Sequence, residues 1–191
     1  ELIDLYNRHP NLSSRTSDSV KRQAFSTPAP LAFVASRAAK VSQRDLVLDS
    51  AAGNGMLFIE ADLQKAVANE IDTDRADSLD RLGVGQLTQQ DAAEIQLNKK
   101  VDKVIINPPF SKVQDDSGKF KSWTIDGVTT MQIDHAVVLN SLKQMVPDGK
   151  AVLIIKARGH KSFDDDNKRS KAYRNDNVRD FYDKLYDQYN V

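Results

Sequence analysis

A short apolar run followed at once by a turn of small residues most constrains the fold of this 191-residue chain. The run, residues 46–48, is too short for a helix and suits a buried strand. Asp49 ends it, and residues 50–55 (SAAGNG) form the turn, with two glycines that tolerate dihedrals closed to other residues. A helical pattern follows from 56 to about 67. This order is typical of an open α/β sheet that binds a nucleotide-like ligand at the carboxyl end of its first strand.

The turn argues against two common nucleotide sites and leaves two interpretations open. Phe58 stands where a dinucleotide-binding turn has its third glycine, and no P-loop lysine follows. The carboxylate of Asp49 suits a ligand with positive charge, and S-adenosylmethionine carries both an ammonium and a sulfonium group. By itself the turn is equally compatible with an ordinary glycine-rich connection between a strand and a helix.

The composition limits the remaining possibilities. Lys and Arg number 27, as do Asp and Glu, so nucleic acid would be attracted by a local patch and not by the whole surface. The chain has no cysteine, which excludes a disulfide framework and a thiolate metal site. It shows no membrane-spanning apolar run and no signal peptide. We therefore expect a cytoplasmic protein without a metal, with a polar arm over residues 1–24 and one domain over 25–191.

Two further acids follow predicted strands at positions that suit a nucleoside. Glu70 ends a strand at 66–68 and lies about 20 residues after Asp49, the spacing of the acid that binds ribose hydroxyls in doubly wound folds. Asp91 follows a weaker strand at 84–88 and could accept from an adenine amino group. The alternatives are a surface acid at Glu70 and a helix cap at Asp91.

The most specific signal is the sequence NPPF, which follows directly after a buried strand at 101–106. Pro108 and Pro109 cannot continue a central strand, so they fix the backbone at its carboxyl end. The Asn107 side chain and the Pro108 carbonyl then offer two acceptors that can hold an amino group by both hydrogens. Phe110 offers a flat face on which a base can stack. A rigid loop without function is the alternative, which the position beside the glycine turn disfavours.

The rest of the pattern completes a sheet flanked by helices. Helical periodicity predicts helices over residues 31–40, 73–82, 131–145 and 177–189. Thr73 is expected to cap the second of these, and Gly83 to stop it. Turn residues at 147–149 lead into a fifth strand at 151–155. His135 is expected to be a surface or core residue and not a catalytic one.

Two segments rich in basic residues are candidates for contact with nucleic acid. In the polar stretch 111–130, Lys112, Lys121 and Trp123 combine cations with an aromatic ring, as single-stranded or flipped nucleotides require. A loop with a small satellite core around Trp123 is equally compatible. In the charged stretch 156–174, Arg158 and Lys161 could bind phosphates, whereas the aspartates at 164–166 are expected to be solvated.

The order of these motifs resembles that of adenine-specific DNA methyltransferases with the class I S-adenosylmethionine-dependent fold, over residues 23–156. Residues 25–28 (FSTP) resemble the motif before the first strand in one subgroup, and 107–110 the catalytic motif. The closest likeness is to the methyltransferase domain of phage and plasmid proteins fused to strawberry-notch-type helicases. The resemblance assigns cofactor contacts to Phe25, Thr27, Pro28, Asp49, Ala51, Gly53, Gly55, Glu70, Ile71, Asp91, Ala92 and Asn107. Ser50 departs from the usual proline and Phe110 from the usual tyrosine.

The resemblance implies a doubly wound, mostly parallel α/β sheet of seven strands. Because only five strands are found, we expect the last strands to be lacking and further domains to belong to a longer parent. The implied reaction is methyl transfer from S-adenosylmethionine to the exocyclic amino group of adenine in DNA. A restriction-modification or anti-restriction setting in a bacterium, phage or plasmid is expected. The alternatives are methylation of RNA or of a protein glutamine amide, and a non-catalytic module that binds nucleic acid or acts as a scaffold.

Overall fold

The computed structural model describes residues 1–8, 26–156 and 176–191. The strands in this part are β1 (Val47–Asp49), β2 (Ala66–Asn69), β3 (Gln86–Thr88), β4 (Val101–Ile106), β5 (Trp123–Ile125), β6 (Val128–Thr130) and β7 (Met145–Leu153). The helices are α1 (Leu2–Arg8), α2 (Ala29–Ala38), α3 (Thr73–Leu82), α4 (Ile133–Lys143) and α5 (Asp176–Gln188). None of these described helices is long and apolar enough to cross a membrane.

The main sheet is parallel and has the strand order β3-β2-β1-β4-β7. The chain runs outward from β1 through β2 to β3, and then returns to place β4 on the other side of β1. In open α/β sheets, ligands bind outside the carboxyl ends of the strands at such a reversal. The predicted doubly wound α/β fold is confirmed, and its topology directs attention to the ends of β1 and β4.

Both faces of the sheet are covered, as in most parallel sheets. Leu48, Val67 and Val104 face a cluster that includes residues of α4 and α5, whereas Val47 and Ile105 face a second cluster with α2. The alternation follows the two-residue period of a strand. The central strands are therefore held by packing on two sides, which gives the loops at their carboxyl ends a rigid base.

The segment after the glycine turn is not the helix that its pattern predicts. It forms two short 3-10 turns, Met56–Phe58 and Leu63–Lys65, before β2 begins. The Leu57 carbonyl accepts a hydrogen bond from the Ser36 hydroxyl at 3.1 Å, so α2 takes an acceptor that a continuing helix would use. Asp62 caps the second turn by accepting from the Gln64 N–H at 3.0 Å. Packing against α2 thus overrides the local helical pattern.

Two smaller predictions about element ends are also wrong. Asp72, and not Thr73, is the N-cap of α3, and its carboxylate accepts from the Arg75 N–H at 3.3 Å. The expected turn at 147–149 lies inside β7, where the ladder shifts between the pairs Val101–Met145 and Lys103–Lys150. Pro147 cannot donate to a ladder, and the strand accommodates it as an irregularity.

The polar stretch after the NPPF motif (residues 107–110) contains an antiparallel hairpin, β5–β6. Asp126 and Gly127 both have positive φ, +50° and +83°, which is the backbone of a two-residue type I′ turn. Trp123 and Val128 are buried in the core cluster that α4 and α5 also enter. The Asp-Gly pair between two short apolar runs is a hairpin signal that the high polarity of this stretch obscured.

Candidate cofactor and catalytic site

Three polar side chains from neighbouring strands meet at the carboxyl edge of the sheet. Asp49 ends β1, Glu70 follows β2, and Asn107 follows β4. Because β2 and β4 flank β1 directly, these residues lie around the topological reversal. The structure therefore brings together the three residues on which the sequence analysis placed most weight.

The carboxylate of Glu70 shapes the glycine turn. Its Oε2 accepts from the Gly53 N–H at 2.8 Å, and its Oε1 accepts from the Asp72 N–H at 2.8 Å. The residue is 8% exposed. Each carboxylate oxygen has a second acceptor position, so the same group can still receive two hydroxyl hydrogens. The turn after β1 and the start of α3 are thus tied to one acid that retains the capacity to bind a diol.

The two glycines of the turn are needed for different reasons. Gly53 and Gly55 both have positive φ, +57° and +77°. A Cβ on Gly55 would lie 2.9 Å from Leu79 Cδ2, so this glycine lets the turn pack on α3. A Cβ on Gly53 would instead lie 3.4 Å from Arg75 Nη1. Close packing on α3, and not approach to a ligand, is therefore the requirement at Gly55.

We expect Gly55→Ala to lower the free energy of unfolding by about 2–4 kcal/mol, from left-handed strain plus overpacking. Urea unfolding measures this loss. The matched control is Gly127→Ala, where φ is also positive and no described heavy atom lies within 4 Å of the added Cβ. The control should lose only about 1–2 kcal/mol. Equal losses of unfolding free energy in the two variants would show that packing on α3 is not the reason for a glycine at position 55.

Asn69, at the end of β2, is a positioning residue that the sequence analysis missed. It is 1% exposed, and its Nδ2 donates to the carbonyls of Ser50 and Gln90, each at 3.0 Å. Its Oδ1 accepts from the Thr88 hydroxyl at 2.8 Å and from the Gln90 N–H at 2.9 Å. One amide therefore joins the loops after β1, β2 and β3. The Ser50 hydroxyl lies 2.7 Å from that of Ser141, which also ties the turn to α4.

Asp49 is held in a low-dielectric position. It is 1% exposed, and its Oδ1 accepts from the Ala51 N–H at 3.1 Å. Burial raises the pKa of the Asp49 carboxyl to about 8, the Ala51 N–H opposes this rise, and the nearby Glu70 charge adds to it. Burial therefore favours the protonated carboxyl, and a cationic ligand beside it would favour its ionised form.

Asn107 connects the NPPF motif to the segment before α2. Its Nδ2 donates to the Thr27 hydroxyl at 3.1 Å, across 80 positions of sequence. The N-cap of α2 is Pro28, so Thr27 lies just outside the helix. The Oδ1 of Asn107 is buried and has no hydrogen-bond partner among the described residues. A buried acceptor in this state costs about 1–3 kcal/mol, which is tolerated where a ligand supplies the donor.

The other predicted cofactor residues occupy less decisive positions. Asp91 accepts from the Ala93 N–H at 3.0 Å within a turn, and no helix lies in the described segment between β3 and β4, so the helix-cap alternative is wrong. Ile71 is 58% exposed beside Glu70, and Ala51 and Ala92 are half-buried. Within the catalytic motif, Pro108 is buried and both Pro109 and Phe110 are half-buried. Phe25 lies outside the described residues.

The nucleic-acid candidates separate into three groups. Lys112 and Lys121 are exposed in the segment that follows the NPPF motif, and the Lys112 ammonium lies 5.4 Å from the ring centre of Phe120, which is 51% exposed. Trp123 is 8% exposed and packs in the main core cluster, not in a separate satellite core, and its indole is not free to stack on a base. Arg158, Lys161 and the aspartates at 164–166 lie outside the described residues.

His135 belongs to the packing and not to the edge of the sheet. It is fully buried in α4, and its ring stacks on Phe181 of α5 with centroids 3.9 Å apart. The surface position is therefore wrong, and His135 is a structural residue of the core. Among the described residues, no group of three or more His, Cys, Asp or Glu side chains is placed to hold a metal ion.

Comparison with known proteins gives similarity at the level of structure. No family model and no curated protein matches the chain. The methyltransferase subunit of a type I restriction-modification system from Streptococcus thermophilus is 18% identical, with a TM-score of 0.51 over 78% of this chain and 38% of that one. The PRMT1 enzyme–prozyme complex of Trypanosoma brucei with AdoHcy is 19% identical, with a TM-score of 0.46 over 72% and 42%.

This chain spans well under two thirds of the length of those two proteins, at 38% and 42%. At such identities the likeness is one of fold. The chain has a parallel sheet with a glycine turn after β1. Its fold is similar to that of the restriction-modification methyltransferase subunit. The chain therefore has the α/β fold of the class I methyltransferases.

Proposed function

We propose that this chain is an S-adenosylmethionine-dependent methyltransferase that acts on the exocyclic amino group of adenine in DNA. The observation that carries the proposal is the buried Oδ1 of Asn107, an acceptor without a partner among the described residues. It lies after β4, next to the strand whose glycine turn is the expected cofactor site. An amino group presents two N–H donors and can supply the hydrogen bond that this acceptor lacks.

The cofactor fits the residues around the glycine turn. Glu70 retains two acceptor positions for the ribose hydroxyls, and Ile71 offers an exposed apolar side chain to the adenine ring. Asp49 is a buried acid whose ionised form a cationic ligand favours. When bound, S-adenosylmethionine supplies an electrophilic methyl group on its sulfonium.

The chemistry assigned to the chain's own residues is orientation of the target nitrogen. Asn107 Oδ1 and the Pro108 carbonyl accept its two hydrogens, which leaves the nitrogen lone pair directed away from the acceptors. Thr27 fixes the Asn107 amide by accepting from its Nδ2 at 3.1 Å. Phe110 packs on the base, and the fixed dipoles stabilise the positive charge that develops on the nitrogen.

The exposed residues after the motif support a nucleic-acid substrate. Residues 113–121 fold back on themselves, with the Lys121 N–H donating to the Val113 carbonyl at 2.8 Å. This small loop presents Lys112, Phe120 and Lys121 to solvent directly beside the catalytic motif. A cation over an aromatic face is suited to a phosphate and a stacked base. The similar restriction-modification subunit supports DNA as the polymer.

The test is methyl transfer from tritiated S-adenosylmethionine to DNA, RNA and protein acceptors, followed by nucleoside analysis of the product. We expect label in DNA as N6-methyladenine. Label in RNA or in a glutamine amide would overturn the choice of substrate, since the same acceptor pair can hold a primary amide. Failure to bind the cofactor would instead favour a non-catalytic module.

Glu70→Gln should weaken binding of S-adenosylhomocysteine about tenfold or more, as measured by calorimetry. Glutamine keeps one acceptor oxygen but places an NH₂ group against the N–H of Gly53 or Asp72. The matched control is Glu94→Gln, which changes an exposed acid near the same edge and should leave affinity unchanged. Equal affinities of all three proteins would remove Glu70 from the site.

A further inference from the structure

A set of cations lies along the amino edge of the main sheet, opposite the proposed cofactor site. Lys65 directly precedes β2, and Arg44 and Lys100 lie just before β1 and β4. Because β2, β1, β4 and β7 are neighbouring strands about 4.8 Å apart, these positions and Lys150 in β7 extend across roughly 14 Å. We call this set the amino-edge row, and its members are Lys40, Arg44, Lys65, Lys99, Lys100, Lys103 and Lys150.

Two members of the row stand side by side in the sheet. Lys103 and Lys150 are register partners on β4 and β7, and Lys103 also pairs with Val47, the first residue of β1. By the alternation along β4, Lys103 shares a face with Ile105, which is the face that α2 covers. Neither lysine forms a hydrogen bond or ion pair within the part of the chain that the structure describes. Like charges directly opposite each other destabilise a sheet, and an anion bound between them would remove that cost.

The described acids beside the row are fewer, and most of them serve the fold. Asp45, Asp62 and Asp102 each accept a hydrogen bond from a backbone N–H, at 2.7, 3.0 and 2.8 Å. Glu60 is ion-paired with an arginine of α2 at 3.4 Å, and Asp148 is exposed in β7. The acids of the proposed cofactor site lie at the opposite ends of the strands. The net charge of zero therefore conceals an amino edge with an excess of positive charge.

We propose that the amino-edge row binds the phosphate backbone of nucleic acid, as a docking surface separate from the proposed catalytic site. The inference rests on the proposed function for the choice of nucleic acid over other polyanions. Duplex DNA carries one negative charge about every 1.7 Å of its axis, so a row of roughly 14 Å meets several phosphates whatever the base sequence. The six residues of β4 separate the two edges by about 20 Å. The docked segment is thus not the one that presents the target base.

Fluorescence anisotropy with a labelled duplex DNA of arbitrary sequence, at several salt concentrations, tests the proposal. The variant Lys103→Gln/Lys150→Gln removes two charges and keeps most of the length of both side chains. The slope of log affinity against log salt concentration should become shallower by about two, because each phosphate contact contributes about one. Affinity at about 0.1 M salt should fall roughly tenfold to a hundredfold. An unchanged slope would overturn the proposal.

The matched control is Arg179→Gln/Lys184→Gln, which removes two cations from α5, the helix that packs on the other face of the sheet. It changes the net charge equally and should leave the slope unchanged. Equal losses in the two double variants would overturn the proposal, since net charge and not the row would then govern binding. Polyglutamate that competes as well as unlabelled DNA of equal charge would overturn the choice of nucleic acid and indicate an acidic protein partner.

A second variant covers the case in which the half-buried Lys103 does not tolerate substitution. Lys40→Gln/Lys150→Gln changes two exposed members of the row, and the same decrease in slope is expected. Circular dichroism establishes that each variant is folded before its binding is compared. Wild-type protein that does not bind duplex DNA would overturn this inference. Wild-type protein that binds DNA through the row and bound cofactor but transfers no methyl group would overturn the proposed function alone.

Discussion

Asn107→Ala is expected to lower the rate of methyl transfer by roughly 100-fold to 1000-fold, the range seen when one preorganised hydrogen-bonding group is removed from an active site. The Oδ1 acceptor acts on the target amino group, and its contact strengthens as positive charge develops on the nitrogen. Affinity for S-adenosylhomocysteine should change little, because the thioether product has no such amino group at that position. Single-turnover transfer and calorimetry on the same protein separate the two effects.

The stability of this variant gives a second, independent readout. The buried Oδ1 of wild-type Asn107 has no partner among the described residues, so its removal relieves a desolvation cost. We therefore expect the free energy of unfolding of Asn107→Ala to be no more than about 1 kcal/mol below that of wild type. Urea unfolding measures it.

Asn140→Ala is the matched control. Asn140 is 7% exposed, and its Nδ2 donates to the carbonyls of Ala92 at 3.2 Å and Ile95 at 2.9 Å. Its loss leaves two buried acceptors without that donor, so stability should fall by about 1–3 kcal/mol. The transfer rate of the folded fraction should stay near that of wild type. A near-normal rate in Asn107→Ala, or an equal rate loss in both variants, would contradict the assigned role.

The sequence predicted those residues of the candidate site that come directly at the end of a buried strand. Val104 and its neighbours form a continuous apolar run because parallel strands are buried on both faces, so the polar residue after each run falls at the carboxyl edge. Asp49, Glu70 and Asn107 are all of this kind. The resemblance assigns both Thr27 and Asn107 to the cofactor contacts, and the structure adds the hydrogen bond between them.

The features of the structure that the sequence did not predict depend on contacts between residues that are far apart in the sequence. Nothing in the local pattern shows that Asn69 joins three loops, or that the Arg75 guanidinium reaches Gly53, since both require the sheet order. The 3-10 turns after Gly55 arise because Ser36 of α2 takes the Leu57 carbonyl. The hairpin differs, because its Asp126-Gly127 turn is a local signal that could have been found.

Asp49 should make the protein less stable as pH rises through the neutral range. Burial, with a smaller contribution from the Glu70 charge, raises the pKa of this carboxyl from 3.8 to about 8 in the fold. The folded state therefore binds a proton that the unfolded state has released between these two values. The resulting stabilisation is fully present below 3.8 and is lost as pH approaches 8, by up to about 1.4 kcal/mol per pH unit.

Urea unfolding of wild type and Asp49→Asn at pH 5, 6, 7 and 8 tests this sign. Asparagine is neutral at every pH and has nearly the same shape, so its free energy of unfolding should lack the Asp49 contribution to the pH dependence. Histidine titration is common to both proteins and cancels in the difference between them. Wild type should lose stability relative to Asp49→Asn with each step upward. A difference that is constant over this range would show that Asp49 is ionised throughout.

Release of the Asp49 proton should be coupled to binding of the cofactor. S-adenosylmethionine carries a sulfonium charge that S-adenosylhomocysteine lacks, and a cation near Asp49 favours its carboxylate. Binding of S-adenosylmethionine near pH 7 should therefore release more protons than binding of S-adenosylhomocysteine, and its affinity should rise between pH 6 and pH 8. Calorimetry in buffers of different ionisation enthalpy counts the protons. Asp49→Asn should abolish the difference between the two ligands, and a difference that persists in this variant would assign the proton to another group.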